Sequence, residues 1–218
     1  MSALLYSIHS KTPELRKIRQ VADALRQGAV VLYPTDSGFT LGCELSNKDA
    51  ISRIRAIRNI PETKEMTFLC RDLTNLSEFA RVSTHAYRTI KGLIPGPYTF
   101  ILPASKMVPK FAQLAKRKTA GIRVPDNILV QLLLKDLGSP IISISAKISN
   151  DDVEHSPDAI LAAFTKLVDV AVQSDDYHFL GESTLIDMTN EEFLITRRGA
   201  GYDRVHEFIE TESSEEES

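Results

Sequence analysis

The sequence predicts a single α/β domain with a mixed sheet. Two observations carry this expectation: short apolar runs of strand length alternate with segments whose apolar residues recur at helical spacing, and the helical segments are bracketed by capping residues and glycines. At 218 residues the chain is long enough to bury a substantial core as one unit.

Leu4 to Ile8 reads as a short strand, and Thr12-Pro13-Glu14 then supplies an N-cap, a proline at the first helical position and an acid in the first turn. Leu15, Ile18, Val21, Ala22 and Leu25 form one face of that helix, which Gly28 ends. The run from Ala29 to Tyr33 is a buried strand that stops at Pro34 and delivers Thr35 and Asp36 to its end. Gly38 and Gly42 let the chain turn, and Phe39 to Leu41 resume an extended pattern. Asn47 caps a helix with Ala50, Ile51, Ile54 and Ile57 inward and Arg53, Arg55 and Arg58 interspersed, closed by Pro61.

A strand at Met66 to Cys70 precedes helices at Leu73 to Ala80 and from Ser83 to before Pro95. Pro95-Gly96-Pro97 is a rigid turn feeding the strand Tyr98 to Leu102. Lys106, Lys110, Lys116, Arg117 and Lys118 form a basic group around a weak helix, before the strand Ala120 to Val124. Asp126-Asn127 starts a helix with Ile128, Leu129, Leu132 and Leu133 inward, and Gly138 ends it before a strand from Pro140 to Ser145. Ser156-Pro157-Asp158 opens a helix with Ile160, Leu161, Phe164 and Leu167 inward. Strands at Val168 to Val172, Ser183 to Asp187 and Phe193 to Arg197 complete the set.

The net charge of −3 conceals an asymmetry, because residues 210–218 carry five glutamates and no base. Residues 1–209, the predicted domain, are therefore mildly basic, which permits a nucleotide or RNA ligand, and the tail reads as a solvated, disordered terminus. Two cysteines are too few for a disulfide framework and are not clustered as zinc ligands, so a reducing, cytoplasmic location is expected. No run approaches membrane-spanning length, and no membrane partner is expected.

Several chemistries are excluded by spacing: there is no Gly-x-x-x-x-Gly-Lys loop, no Gly-x-Gly-x-x-Gly after a strand and no Gly-x-Ser-x-Gly turn. The five histidines are scattered, so a metal cage built from protein side chains is not expected, and no acid–base pair or nucleophile stands out. What remains is a set of hydroxyls and cations at strand ends: Thr35, Arg58, Thr119, Arg123, Ser143, Ser145, Lys147, Ser183, Thr184 and Arg197. Hydroxyls donate hydrogen bonds and fixed cations neutralise phosphates or carboxylates, so this inventory suits an anionic ligand.

The ordered combination resembles the YrdC-like domain, the catalytic unit of threonylcarbamoyl-AMP synthases, and is most similar to its YciO branch. The residues that carry the resemblance are Tyr33-Pro34-Thr35-Asp36-Ser37-Gly38, Pro95-Gly96-Pro97-Tyr98-Thr99, Gly121-Ile122-Arg123-Val124-Pro125, Ser145-Ala146, Ser156-Pro157, Gly181-Glu182-Ser183-Thr184 with Asp187, and Arg197 with Gly199. The resemblance implies a twisted mixed sheet with flanking helices around a concave basic pocket. It implies a nucleotidyltransferase that joins L-threonine, bicarbonate and ATP into threonylcarbamoyl-AMP and pyrophosphate, with Mg2+ accompanying ATP. A separate transferase would then pass the threonylcarbamoyl group to a tRNA adenosine. By position, Thr35, Arg123 and Ser183 would contact threonine, and Arg58, Thr119, Ser145, Ser156 and Arg197 the nucleotide.

The chain departs from the family pattern at three places. Arg58 stands where the family usually has a lysine, Ile60 where it has a second basic residue, and Lys147 where its Ser-Ala-Asn has asparagine. One cation is lost and another gained, so Lys147 is expected to meet the triphosphate. The alternative reading is a nucleotide-binding or double-stranded-RNA-binding module without full synthase activity, with the basic group around Lys106 to Lys118 joining the concave face.

Overall fold

The computed structural model describes residues 2–112, 118–148 and 156–208. Lys116, Arg117 and the acidic tail lie outside the described residues. The strands are β1 (Leu4–Ile8), β2 (Val31–Thr35), β3 (Gly38–Glu44), β4 (Thr67–Leu69), β5 (Tyr98–Pro103), β6 (Thr119–Arg123), β7 (Ile141–Ser145), β8 (Val170–Ser174), β9 (Thr184–Asp187) and β10 (Leu194–Arg197). The helices bounded within the described residues are α1 (Leu15–Arg26), α2 (Lys48–Arg58), α3 (Leu73–Phe79), α4 (Thr84–Leu93), α5 (Ile128–Leu137) and α6 (Pro157–Phe164), and residues 202–208 are helical as well. All ten strands join one open, twisted sheet in the order β1-β8-β2-β3-β7-β4-β6-β5-β9-β10. The β1/β8, β8/β2, β4/β6 and β5/β9 pairs are parallel and the rest antiparallel, which makes the sheet mixed as the sequence predicts.

Helix starts follow local capping. The side-chain oxygens of Asn47, Asp72, Ser83, Asn127 and Ser156 each accept the backbone N–H three residues on, and Gly138 ends α5 in a left-handed conformation. The first helix departs from expectation: it begins at Leu15 with Glu14 as the capping residue, not at Thr12-Pro13. The Thr12 N–H is engaged by His9 Nδ1 at 3.2 Å, and the Glu14 carboxylate accepts from the His9 N–H at 3.1 Å, so residues 9–14 are held in their own turn. The inward faces also shift. Leu15, Ile128 and Leu167 are exposed, while Val130, Leu134 and Leu137 are buried in the α5 contact.

The two sheet faces are covered unequally. On one face α2, α3, α4 and α6 pack over Leu32, Leu41, Phe68, Phe100, Ile122 and Ile142 in a continuous core. On the other, α1 and α5 pack together over Val31, Tyr33, Leu69, Ile141, Val170 and Val172. Those two helices cover only part of their face, and beyond them it is open. Cys43 and Cys70 are buried free thiols, and burial pushes Cys43 up to about 12 and Cys70 up as well. Among the described residues no helix is long and apolar enough to cross a membrane.

Candidate functional site

The uncovered part of the sheet is the floor of a cavity of about 800 Å³, within the size range of small-molecule sites. The register aligns Gly42, Ser143, Thr67 and Gly121 across β3, β7, β4 and β6, and Thr40 stands opposite Ser145. Thr40, Thr67, Gly121, Ser143 and Ser145 pave the floor where no helix demands apolar residues, while Gly42 lies against Tyr33 and Ile141. Ser143 Oγ donates to the Thr67 carbonyl at 3.1 Å, so the floor satisfies part of its own hydrogen bonding.

The first wall is the β2–β3 turn. β2 does not stop at Pro34, which pairs with Phe39, but ends at Thr35, whose Oγ1 donates to the Gly38 carbonyl at 2.9 Å while accepting the Ser37 N–H at 3.1 Å. Asp36 points inward: Oδ1 lies 2.6 Å from Arg123 Nη2, and Oδ2 accepts the Asp126 N–H at 3.2 Å. Arg123, on β6, also donates through Nη1 to Ser37 Oγ and through Nε to the Gly96 carbonyl at 3.4 Å. Burial lowers the Arg123 pKa and Asp36 opposes that shift, while the guanidinium stays charged.

The second wall comes from β9 and β10. The register slips between Ile195, which faces Ile186 and the core, and Arg197, which pairs with Leu185. The extra residue, Thr196, turns Arg197 onto the cavity face; an unbroken ladder would place Thr196 there. Arg197 donates through Nε to the Ser183 carbonyl at 3.0 Å and through Nη2 to Ser183 Oγ at 3.1 Å, and Ser183 Oγ lies 2.8 Å from Thr99 Oγ1. Gly199 is required beside this wall, because a Cβ there would sit 2.3 Å from the Glu182 carbonyl. Glu182 Oε2 lies 3.2 Å from Arg197 Nη1, and its Oε1 meets the Lys147 ammonium. The Lys147 hydrogen bond, with Arg197 adding to it, holds the Glu182 carboxyl below the usual carboxylate range.

The third wall is the end of α2 and residues 59–66. Arg58 is buried and donates through Nε to the Ser145 carbonyl at 2.9 Å and through Nη1 to the Lys147 carbonyl, so it fixes the end of β7 as well as lining the cavity. Arg55 Nη1 holds the following loop through the Pro61 and Lys64 carbonyls at 2.8 and 3.0 Å.

Thr35, Arg58, Arg123, Ser145, Lys147, Ser183 and Arg197 thus line one cavity, and Ile60 lines it too. Three residues named from the sequence do not. Thr184 is fully buried away from it, its hydroxyl donating to the Ala200 carbonyl at 2.9 Å. Ser156 caps α6 and is exposed, and Thr119 stands behind Glu65, donating to its carboxylate at 3.4 Å. Lys106, Lys110 and Lys118 are exposed and do not line the cavity. The sequence assigns no role to Glu182 or Thr99 and gives Arg123 a ligand but no partner within the chain, where the structure pairs it with Asp36. The signal for Glu182 was its place beside Ser183-Thr184, an acid among residues read as anion ligands.

Among the described residues no cluster of three or more His, Cys, Asp and Glu side chains could hold a metal ion. A magnesium ion is compatible with the site on other terms, since it is commonly held by ligand phosphates and one or two carboxylates. Glu65 lines the cavity and has only the long Thr119 contact among the described residues, which suits it to that part.

The fold and site define an α/β domain with a polar, cation-lined hollow on one sheet face, chemistry suited to an anionic small molecule. The chain belongs to the Sua5/YciO/YrdC family, whose model, described as "Telomere recombination", matches residues 23–199. It is 40% identical over 204 residues to YciO of Escherichia coli K12, covering 92% of this chain and 97% of that protein. The crystal structure of E. coli YciO matches with a TM-score of 0.83 at 38% identity, over 91% of this chain and 97% of that one. A threonylcarbamoyl-AMP synthase of Vibrio vulnificus YJ016 is 36% identical over 135 residues, 61% of this chain and 72% of that enzyme. Pyrococcus abyssi Sua5 complexed with L-threonine shares the fold, with a TM-score of 0.87 at 24% identity; the match covers 95% of this chain and 61% of that one.

Proposed function

We propose that this chain is an L-threonylcarbamoyladenylate synthase acting in the cytoplasm. The observation that carries the reading is the gathering of Thr35, Arg123 and Ser183 with Arg58, Ser145, Lys147 and Arg197 around one cavity. The sequence match to the Vibrio synthase supports it. The threonine amine captures bicarbonate-derived carbon dioxide as a carbamate, and a carbamate oxygen attacks the α-phosphorus of ATP. The bond to the β-phosphate oxygen breaks and pyrophosphate leaves. Arg123 and the hydroxyls of Thr35 and Ser183 orient threonine, while Arg58, Lys147 and Arg197 offset the phosphate charge. Magnesium arriving with ATP would supply further charge neutralisation, with Glu65 the carboxylate placed to hold it. The product suits a downstream transferase that modifies a tRNA adenosine.

The test is incubation with ATP, bicarbonate and L-threonine. Threonine-dependent pyrophosphate and threonylcarbamoyl-AMP are expected; absence of both sinks the reading. One observation favours a second reading, a nucleotide-binding module without the full reaction: Arg123, Lys147 and Arg197 are all paired with carboxylates of the chain itself. That module would bind ATP and release neither product.

A further inference from the structure

Two carboxylate–cation arrangements border the cavity, and they differ in burial. The Asp36–Arg123 side chains are 5% and 6% exposed, whereas those of Glu182, Lys147 and Arg197 are 41%, 34% and 42% exposed. The first is shielded from bulk solvent, although Arg123 still lines the cavity, and the second stands in reach of solvent as well as ligand.

We propose that Glu182 is an internal occupant of the polyphosphate subsite, a tethered anion that bridges Lys147 and Arg197 and that an incoming polyphosphate must displace. The inference rests on the nucleotide reading of the cavity. One carboxylate oxygen goes to each cation, the arrangement a bridging phosphate would adopt. The two cations come from separate segments, Lys147 after β7 and Arg197 on β10, so Glu182 also ties two walls together. Its backbone is fixed, because its carbonyl accepts the Ala200 N–H at 2.7 Å, which leaves the side chain as the part able to swing. Arg197 keeps its direction when Glu182 departs, since Ser183 accepts two of its hydrogen bonds.

The exposure decides how the device works. Solvent-exposed ion pairs contribute little each, so these contacts yield to a stronger anion. A tethered carboxylate nevertheless competes at high effective concentration. A single phosphate can bridge the same two cations but carries the smaller charge and displaces it poorly, whereas two or three adjacent phosphates bring more charge and more oxygens to both. Glu182 therefore sets the ligand class, favouring nucleoside triphosphate and pyrophosphate over nucleoside monophosphate.

The test is calorimetric binding of inorganic pyrophosphate, ATP and AMP to the full chain and to Glu182→Gln, with Glu182→Ala as a second variant. Pyrophosphate and ATP are expected to bind both variants about tenfold more tightly than the wild type, with AMP gaining less than about threefold. In a Lys147→Met background the gain from Glu182→Gln should fall below about threefold. Unchanged or weakened pyrophosphate binding in both variants, or no pyrophosphate binding by any form, overturns the proposal. Tighter pyrophosphate binding without threonylcarbamoyl-AMP formation would keep Glu182 in this role and reject the synthase. Product formation with unchanged pyrophosphate affinity would do the reverse.

Discussion

Asp36 Oδ1 lies 2.6 Å from Arg123 Nη2, and both side chains are almost fully removed from solvent. This pair joins the β2–β3 turn to β6, so the residue expected to meet a ligand carboxylate already holds a carboxylate of its own. Breaking a buried pair by removing one partner leaves an uncompensated charge, which costs more than the pair contributes. Asp36→Asn should therefore destabilise the fold by about 3 kcal/mol, read as a drop in the urea midpoint with an unchanged slope. A loss below about 1 kcal/mol would show that Arg123 finds another anion or water.

Thr35 organises the same turn through one hydroxyl that donates to Gly38 and accepts from Ser37. Thr35→Val keeps the shape and removes both bonds. Stability should fall by about 1–2 kcal/mol and L-threonine affinity by at least about tenfold. Thr35→Ser should recover most of the binding, and equal threonine affinity in Thr35→Val would remove Thr35 from the ligand site.

Lys147→Met deletes a cavity cation and leaves the Glu182 charge facing the phosphates with Arg197 and the more distant Lys64 opposite it. ATP binding should weaken by more than about tenfold, and the salt dependence of that binding should flatten. Unchanged ATP affinity would reject any role for this lysine in the triphosphate site.

Glu14 titrates far below other carboxylates, at about 2 against an ordinary 4.5, because Lys17 and the His9 N–H hydrogen-bond its charged form. With the folded value depressed, its contribution is complete above about 4.5 and is lost as pH falls through about 2. A carboxyl-carbon NMR titration should show the low midpoint, and Lys17→Met should raise it. A midpoint near 4.5 in the wild type would refute the clamp.

What was legible in the sequence was mostly local. Asn47, Asn127 and Ser156 act on backbone groups three residues away, and Gly138 acts on its own dihedrals, so each could be read in place, whereas β2 does not stop at Pro34 because its pairing with Phe39 and Gly38 carries it on to Thr35. The start of α1 was not legible because His9 and Lys17, rather than the Thr12-Pro13 pattern, fix where it begins. The face of α5 was misread because the helix is apolar nearly all round, and its packing on α1 chooses Val130 and Leu134 over Ile128. In the site, the strand-end hydroxyls and cations announced themselves by type and order. The Asp36–Arg123 pairing, the slip that turns Arg197 and the reach of Glu182 to Lys147 depend on long-range register, which no local pattern encodes.

The ladder row Gly42, Ser143, Thr67 and Gly121 passes from the core beneath α1 and α5 into the floor of the cavity, and its two ends tolerate change differently. At Gly42 a methyl group would strike Tyr33 Oη and Ile141 Cγ2, each at 2.7 Å, so that end is locked by the core beneath α1 and α5. At Gly121 the same methyl would meet only Thr99 Cγ2 at 3.7 Å and the Met66 carbonyl at 3.9 Å. Alanine at 121 would therefore make the hollow shallower by one carbon while the strand stays in place. Position 121 thus sets the depth of the hollow without moving the strand, like a stop in the bottom of a mould.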